Sequence, residues 1–331
     1  MSDTALPPSA LHVNDAAFTA ARMLGEARSR GLQWDLLPII PPAQDWSGPV
    51  GTSRKAVLGA RWLAGLARAA RRHDIVHVHS ATTLRHTRPV VRRYVLHCHG
   101  SDVRSAQHQP THRASIRAGL TEAEAVFYST PDLAEQILPH RTDAHYLPVP
   151  VAVDEVPVWS PSGGRPSVVF ASRWSPDKDS TRQLAVARAL VRALDERADV
   201  VGLDWGPQSA DAAAVGVRLV PRCDHAAYLR LLAGAHVVVG QSAGILAASE
   251  LEALATGAPL VIPVPLPLYD RTDVPVTGAD GPDGAVAEVR TLLDDPGDPT
   301  IRREWVREHH GVVRAVDTLT AVYADVMARR R

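Results

Sequence analysis

Short, nearly continuous apolar runs alternate with longer amphipathic stretches along this chain, and the alternation occurs twice. In the first half the runs read ALHVN, DLLPI, DIVHVH, YVLHCH, AVFYS and AHYLPV; in the second they read SVVFAS, DVVGLDW, VRLVP, HVVVGQ and PLVIPV. Between them lie stretches with helical spacing of apolar residues, among them AFTAARMLGEARSRG, RKAVLGARWLAGLARAARRH, RQLAVARALVRALDE and AAYLRLLAG. Strands without polar alternation are those of a parallel sheet covered on both faces, and intervening helices provide the cover. A chain of 331 residues is long for one core. The pattern therefore predicts an α/β protein of two doubly wound, Rossmann-like domains facing a cleft. The stretch DEVPVWSPSGGRP, Asp154 to Pro166, has the Pro, Gly and Ser content of a linker. It predicts an N-terminal domain over 1–155 and a C-terminal one over 156–311. Beyond Pro299, IRREWVREHHG and VVRAVDTLTAVYADVMARRR read as two helices.

Composition narrows the function classes. Lys and Arg number 36, as do Asp and Glu, so the formal net charge is zero. The charge is uneven: thirteen Lys and Arg residues lie from Arg54 to Arg117, opposed by Asp74 and Asp102 alone. A basic first domain could meet an anionic acceptor or lie peripherally on an anionic membrane, or it could simply present solvated helix faces. No stacking aromatics are interleaved with these cations, which argues against nucleic acid. The start, MSDTALPPSALHV, lacks a basic region followed by an apolar core, and no apolar run reaches membrane-spanning length. Cys98 and Cys223 lie in separate halves and imply no disulfide framework. A cytoplasmic location is expected, with peripheral contact to the inner membrane face left open. The Ala- and Arg-rich usage points to a bacterial, GC-rich genome.

The second half carries the most specific pattern. HVVVGQ runs into the turn Ser242, Ala243, Gly244 and then into LEALATGAPLV. The reading is a strand, a turn, a helix from about Ile245 to Thr256 stopped at Gly257, and a strand opened by Pro259. Glu252 sits inside that otherwise apolar helix. An ionised carboxylate there needs a partner or a cleft, and in a cleft it can accept both hydroxyls of a ribose. Upstream, VVFASRWSPDKDSTRQLAVA places Arg173 and Lys178 around a loop at a helix start near Asp179 or Ser180, an arrangement suited to a diphosphate.

Glu252, Ala253, Ala255, Gly257, Pro259, Leu260 and Val261 fit a pattern E-A-hydrophobic-A-x-G-x-P-hydrophobic-hydrophobic. In this the chain resembles GT-B glycosyltransferases, in particular the large retaining group called family 4. The Arg173–Lys178 loop is similar to that group's G-R-x-x-x-x-K-G, with Ser172 and Asp179 in place of the glycines. The resemblance implies a hexosyltransferase-like enzyme, EC 2.4, that uses a nucleoside-diphosphate sugar and transfers it with retention to an acceptor not identified. It implies that Glu252 holds ribose, that Arg173 and Lys178 neutralise the departing diphosphate, and that Ser242, Gly244 and Ile245 contact the donor. It also implies that no metal or cofactor is required, and that the last helix, about 312–331, crosses back onto the first domain. The E-x7-E pattern of retaining members is incomplete: Gly244 stands where the first Glu would be. Glu250, two residues from Glu252, is expected on another side of the helix.

In the first domain, HCHGSDVR is similar to the family's cleft loop, and the resemblance gives His99 a catalytic contact with the sugar. Asp102 and Arg104 are candidates for the acceptor or for orienting His99, although Asp102 could cap the next turn. Asp15, at the carboxyl end of the first strand, could bind acceptor hydroxyls or cap the following helix. Two other readings stay open. One is a GT-B-like protein with altered or lost sugar transfer, suggested by Gly244. The other is a metal-dependent hydrolase using His77 and His79, which the period of a strand places on one face.

Overall fold

The computed structural model describes residues 7–39, 47–161, 163–269 and 273–331. The first six residues, part of the stretch read as lacking a leader, and Ser162 of the expected linker lie outside that set. The chain divides into two compact units, residues 1–150 with 312–331, and residues 151–311. Each is built on a six-stranded sheet.

The first sheet consists of β1 (Ala10–Val13), β2 (Trp34–Leu37), β3 (Ile75–His79), β4 (Val95–Cys98), β5 (Ala125–Tyr128) and β6 (His145–Tyr146). Their order is β2-β1-β3-β4-β5-β6, all parallel. The second consists of β7 (Ser167–Phe170), β8 (Asp199–Asp204), β9 (Arg218–Pro221), β10 (Val237–Val239), β11 (Leu260–Ile262) and β12 (Thr277–Gly278). Its order is β12-β11-β10-β7-β8-β9, also all parallel. Relative to its own first strand, this is the Rossmann order, with the reversal between β7 and β10. The eleven apolar runs read from the sequence are all strands. The twelfth strand is too short to have left an apolar run.

Strand alternation sends residues of the first sheet to two cores. Leu11, Val13, Val78 and Leu96 pack on one face. Ala10, Ile75, Val95, Phe127 and the helix Thr19–Ser29 pack on the other. The helix Val312–Arg329 closes that second core with Leu319, Tyr323 and Val326, and Arg330 continues it with hydrogen bonds to the Glu124 carboxylate. The second unit buries Val168, Phe170, Val200, Val237 and Val261 beneath the helices Ser180–Leu194 and Gly281–Asp294.

The segment expected to be a linker lies along the second unit. Trp159 donates its ring N–H to the Ala235 carbonyl at 2.7 Å and its backbone N–H to Thr256, and the Ser160 N–H bonds Ala233. The division between units accordingly falls at 150/151. Among the described residues no helix is long and apolar enough to cross a membrane.

Candidate functional site

In a doubly wound sheet, ligands bind beyond the carboxyl ends of the strands where the order reverses. In the second unit that point lies between the loop after β7 and the turn after β10. The loop after β7 is anchored by Trp174, which is fully buried. Its indole donates to the Leu203 carbonyl at 3.0 Å, and its backbone N–H bonds Trp205. Gly206 permits this join: with φ +113°, a Cβ there would fall 2.2 Å from the Trp174 carbonyl oxygen. The join brings Arg173 beside the Trp205 ring, 5.7 Å from its centroid, while Arg222 lies at 4.8 Å. Arg173 also pairs with Asp177 at 2.7 Å. Burial pushes Asp177 up, but Ser175, Arg173 and Lys178 outweigh it and hold its carboxyl below the ordinary range. Asp179 adopts a left-handed conformation, φ +50°, and caps the helix Ser180–Leu194 by accepting from the Arg182 N–H. The usual glycine at this position is thus replaced by a residue that tolerates the same backbone region.

The turn after β10 is tied to that loop, because the Ser242 N–H donates to the Lys178 carbonyl at 3.2 Å. It is shaped by Glu250, fully buried. One Glu250 oxygen accepts from the Gln241 N–H, Ser172 and Ser249 hydroxyls, each at 3.1 Å. The other accepts from Gln241 Nε2 and the Ala247 N–H, each at 3.0 Å. This last bond fixes the helix start: the helix spans Ala248–Thr256 and not the expected Ile245–Thr256. Gly244 and Ile245 therefore belong to the turn. Gly244 has φ +71°, a region costly for any residue with a Cβ. Gly257 ends the helix at φ +94°, as its place before Pro259 predicts. Three buried polar atoms here have no hydrogen-bond partner: Ser242 Oγ, Gln241 Oε1 and Gln183 Oε1. Such groups are costly unless a ligand or water completes them.

Glu252 lies on the same helix but is only 3% exposed. Its Oε1 is 2.8 Å from His225 Nε2 on the helix His225–Ala233. His225 is partly exposed, so the imidazole stands between this carboxylate and solvent. Sequence reasoning missed His225 and Trp205, and it set Glu250 on another side of the helix without giving it a part in the turn. Nearby, burial and the two glutamates push the Tyr228 hydroxyl up, and it donates to the Ala171 carbonyl at 2.9 Å.

The first-unit candidates are committed differently. Asp102 is buried, and its two oxygens accept from the N–H groups of Ala81, His99, Gly100 and Val103. It holds the loop after β4 by its backbone. Arg104 forks onto the Asp132 carboxylate and donates to Thr130 Oγ1 at 2.7 Å. Asp15 Oδ1 accepts from the Ala20 and Ala21 N–H groups. Burial raises the Asp15 carboxyl, against the lowering effect of those amides and of Arg22. These geometries favour the capping and loop-holding roles over acceptor contacts.

Both ring nitrogens of His99 are engaged within the first unit. Nε2 lies 2.9 Å from His79 Nδ1, and Nδ1 lies 3.1 Å from Ser129 Oγ. His99 belongs to a buried stack with His12, His77, His79 and His97, joined by the register of β1, β3 and β4. His77 and His79 share a face as expected, with ring centroids 4.5 Å apart, and His77 Nδ1 meets the Tyr323 hydroxyl.

Two parallel six-stranded α/β units of this kind form the architecture of the GT-B glycosyltransferases. Among solved structures, HepE of Anabaena in complex with UDP and glucose is similar over 96% of this chain and 99% of its own, with a TM-score of 0.66 at 13% identity. AviGT4, a glycosyltransferase involved in avilamycin A biosynthesis, is similar over 97% and 98%, with a TM-score of 0.63 at 19% identity. TarM of S. aureus, in a complex containing UDP, matches 79% of this chain and 59% of its own, with a TM-score of 0.58 at 12% identity. No protein-family model matches the sequence, and no curated protein matches it.

Proposed function

We propose that this protein transfers a sugar from a nucleoside-diphosphate donor held at the reversal point of the second sheet. The observation that carries the reading is the hydrogen bond from Ser242 to the Lys178 carbonyl. It ties the loop bearing Arg173 and Lys178 to the turn that leads into the Glu252 helix, which supports binding of phosphate by the two cations and of ribose by the carboxylate at one end of the sheet. The unpartnered Ser242 Oγ and Gln241 Oε1 suit a polar ligand there. Arg173 and Lys178 stabilise negative charge as it develops on the departing diphosphate, the role a metal plays elsewhere. Arg173 exchanges Asp177 for phosphate as the donor arrives. Ribose reaches Glu252 by displacing the His225 ring.

Retention is the stereochemical outcome that the family resemblance supports. Gly244 offers no carboxylate to the donor sugar, so recognition of that sugar rests on backbone groups of the turn. On the acceptor side, the basic stretch Arg54 to Arg117 supports an anionic acceptor. Calorimetry with UDP and UDP-glucose tests the reading. Glu252→Ala and Arg173→Ala should each lower affinity about 10- to 100-fold, the effect of losing a hydrogen bond to a charged group. Unchanged affinity in both variants overturns the site. Gly244 favours one second reading, a protein that binds nucleotide sugars without ordinary transfer. Binding with no turnover across a broad acceptor panel selects it.

A further inference from the structure

Five histidines in one buried stack exceed what packing requires, because an imidazole in a core needs partners for two nitrogens. Along the stack the contacts run His12 Nδ1 to His79 Nε2 at 2.9 Å, then His79 Nδ1 to His99 Nε2 at 2.9 Å. They continue from His99 Nδ1 to Ser129 Oγ at 3.1 Å and from Ser129 Oγ to His97 Nε2 at 3.0 Å. The Ser129 hydroxyl donates to the Cys98 carbonyl at 3.2 Å. With its one proton placed there, Ser129 Oγ accepts from both His97 and His99. That pattern sets the tautomers. His99 keeps a lone pair on Nε2, and His97 keeps one on Nδ1, an atom that is buried and has no partner. His79 frees a lone pair on Nδ1 by carrying its proton on Nε2 and donating to His12 instead, and His12 in turn moves its proton to its own unpartnered Nε2.

We propose that His79, His97 and His99 form a binding site for a divalent transition cation of the zinc class, with Ser129 and His12 as the outer groups that orient them. One ring nitrogen from each of the three lies within 4.8 Å of the others. Each ring also has its remaining nitrogen held from outside the triad: His97 and His99 by Ser129, His79 by His12. That is the arrangement that orients metal-bound histidines. The fit is close. Two nitrogens at about 2.05 Å from a tetrahedral zinc stand about 3.3 Å apart. The His79–His99 pair, now at 2.9 Å, must open by about 0.4 Å. Burial depresses all three imidazoles, His99 to about 4 against the raising effect of the Asp102 carboxylate. His99 is only half-buried, which gives the cation a route in and leaves its fourth position to water. Asp102, bonded to the His99 N–H, supplies negative charge beside the site. The alternative triad His12, His77 and His79 shares His79 but lies wholly buried, and Tyr323 holds its His77.

Cobalt titration of the metal-stripped, full-length protein tests the site, with zinc competition and circular dichroism as the fold control. The expected result is about one cobalt per chain with the visible absorption of a tetrahedral nitrogen site, displaced by zinc. His97→Ala should abolish it, and His99→Gln provides the same test at the half-buried edge if the first variant fails to fold. Ser129→Ala should weaken binding about 10- to 100-fold. His12→Ala should weaken binding in the same way but retain the cobalt spectrum at saturating metal. Wild-type protein that binds neither metal overturns the proposal. So does a spectrum that survives His97→Ala or His99→Gln but is lost in His12→Ala, which would put the cation in the other triad. The proposal does not rest on sugar transfer, because cobalt absorption and nucleotide binding are read separately.

Discussion

Replacing Glu250 by Gln and by Ala separates the structural glutamate of the Ala248–Thr256 helix from Glu252, the one proposed to bind the donor. Glu250 receives five donors, three on Oε1 and two on Oε2. A glutamine has one acceptor oxygen, and its best orientation places that oxygen where Oε2 was, keeping Gln241 Nε2 and the Ala247 N–H. Its NH2 then meets the Ser172 and Ser249 hydroxyls, which rotate to accept. Only the Gln241 backbone N–H faces another donor. The expected cost is one lost hydrogen bond to a charged group, about 1.5–3 kcal/mol. Alanine removes all five acceptor contacts and leaves two backbone amides buried, for about 3–5 kcal/mol. For a unit of this size that corresponds to a fall of about 4–10 °C for Gln and more for Ala. Urea unfolding read by circular dichroism measures it, with hydrogen exchange at the Gln241 and Ala247 amides as the local probe. Equal stability of wild type and Glu250→Ala would refute the argument that this carboxylate organises the turn. By contrast, Glu252→Gln should alter nucleotide affinity more than stability.

Gly244→Glu creates an E-x7-E spacing with Glu252 but forces a side chain onto φ +71°. We expect the second unit to lose about 1–2 kcal/mol, visible as an earlier thermal transition, and an unchanged transition would show that the turn relaxes freely. Asp132 gives an acid-sensitive contribution: burial raises its carboxyl, but Arg104 and Thr130 more than compensate and hold it below the ordinary range. A depressed folded-state value stabilises above about pH 4 and is lost as pH falls through the folded-state value. The stability gap between wild type and Arg104→Ala should therefore shrink in acid. A gap that stays constant from neutral pH downward would remove that account.

Most of the fold was legible because eleven strands carry apolar runs, which burial on both faces demands of the central ones, while the edge strands β6 and β9 stay largely exposed. β12 escaped because Thr277–Gly278 is too short to show a pattern. The stretch Asp154 to Pro166 has linker composition, yet Trp159 pins it to the second unit through its two N–H groups. At the candidate site, the cations and Glu252 were visible as residue types at fixed spacing. Their immediate partners were not. His225 reaches Glu252 only because two helices pack side by side, and Glu250 lies inside the turn because its carboxylate curls back three residues. The histidine stack was half visible: His77 and His79 share a strand, but His12 and His97 join them only through the register of β1, β3 and β4.

The helix Val312–Arg329 completes the core against Trp34 and His77, so the first unit is closed by a segment that follows the whole second unit in sequence. During synthesis the face awaiting Tyr323 emerges roughly 180 residues ahead of its cover, an interval of about 10–40 s at ordinary translation rates. The second unit, continuous in sequence, is itself being made during that interval. Until the helix arrives, the first stays an unfinished shell with a bare apolar flank.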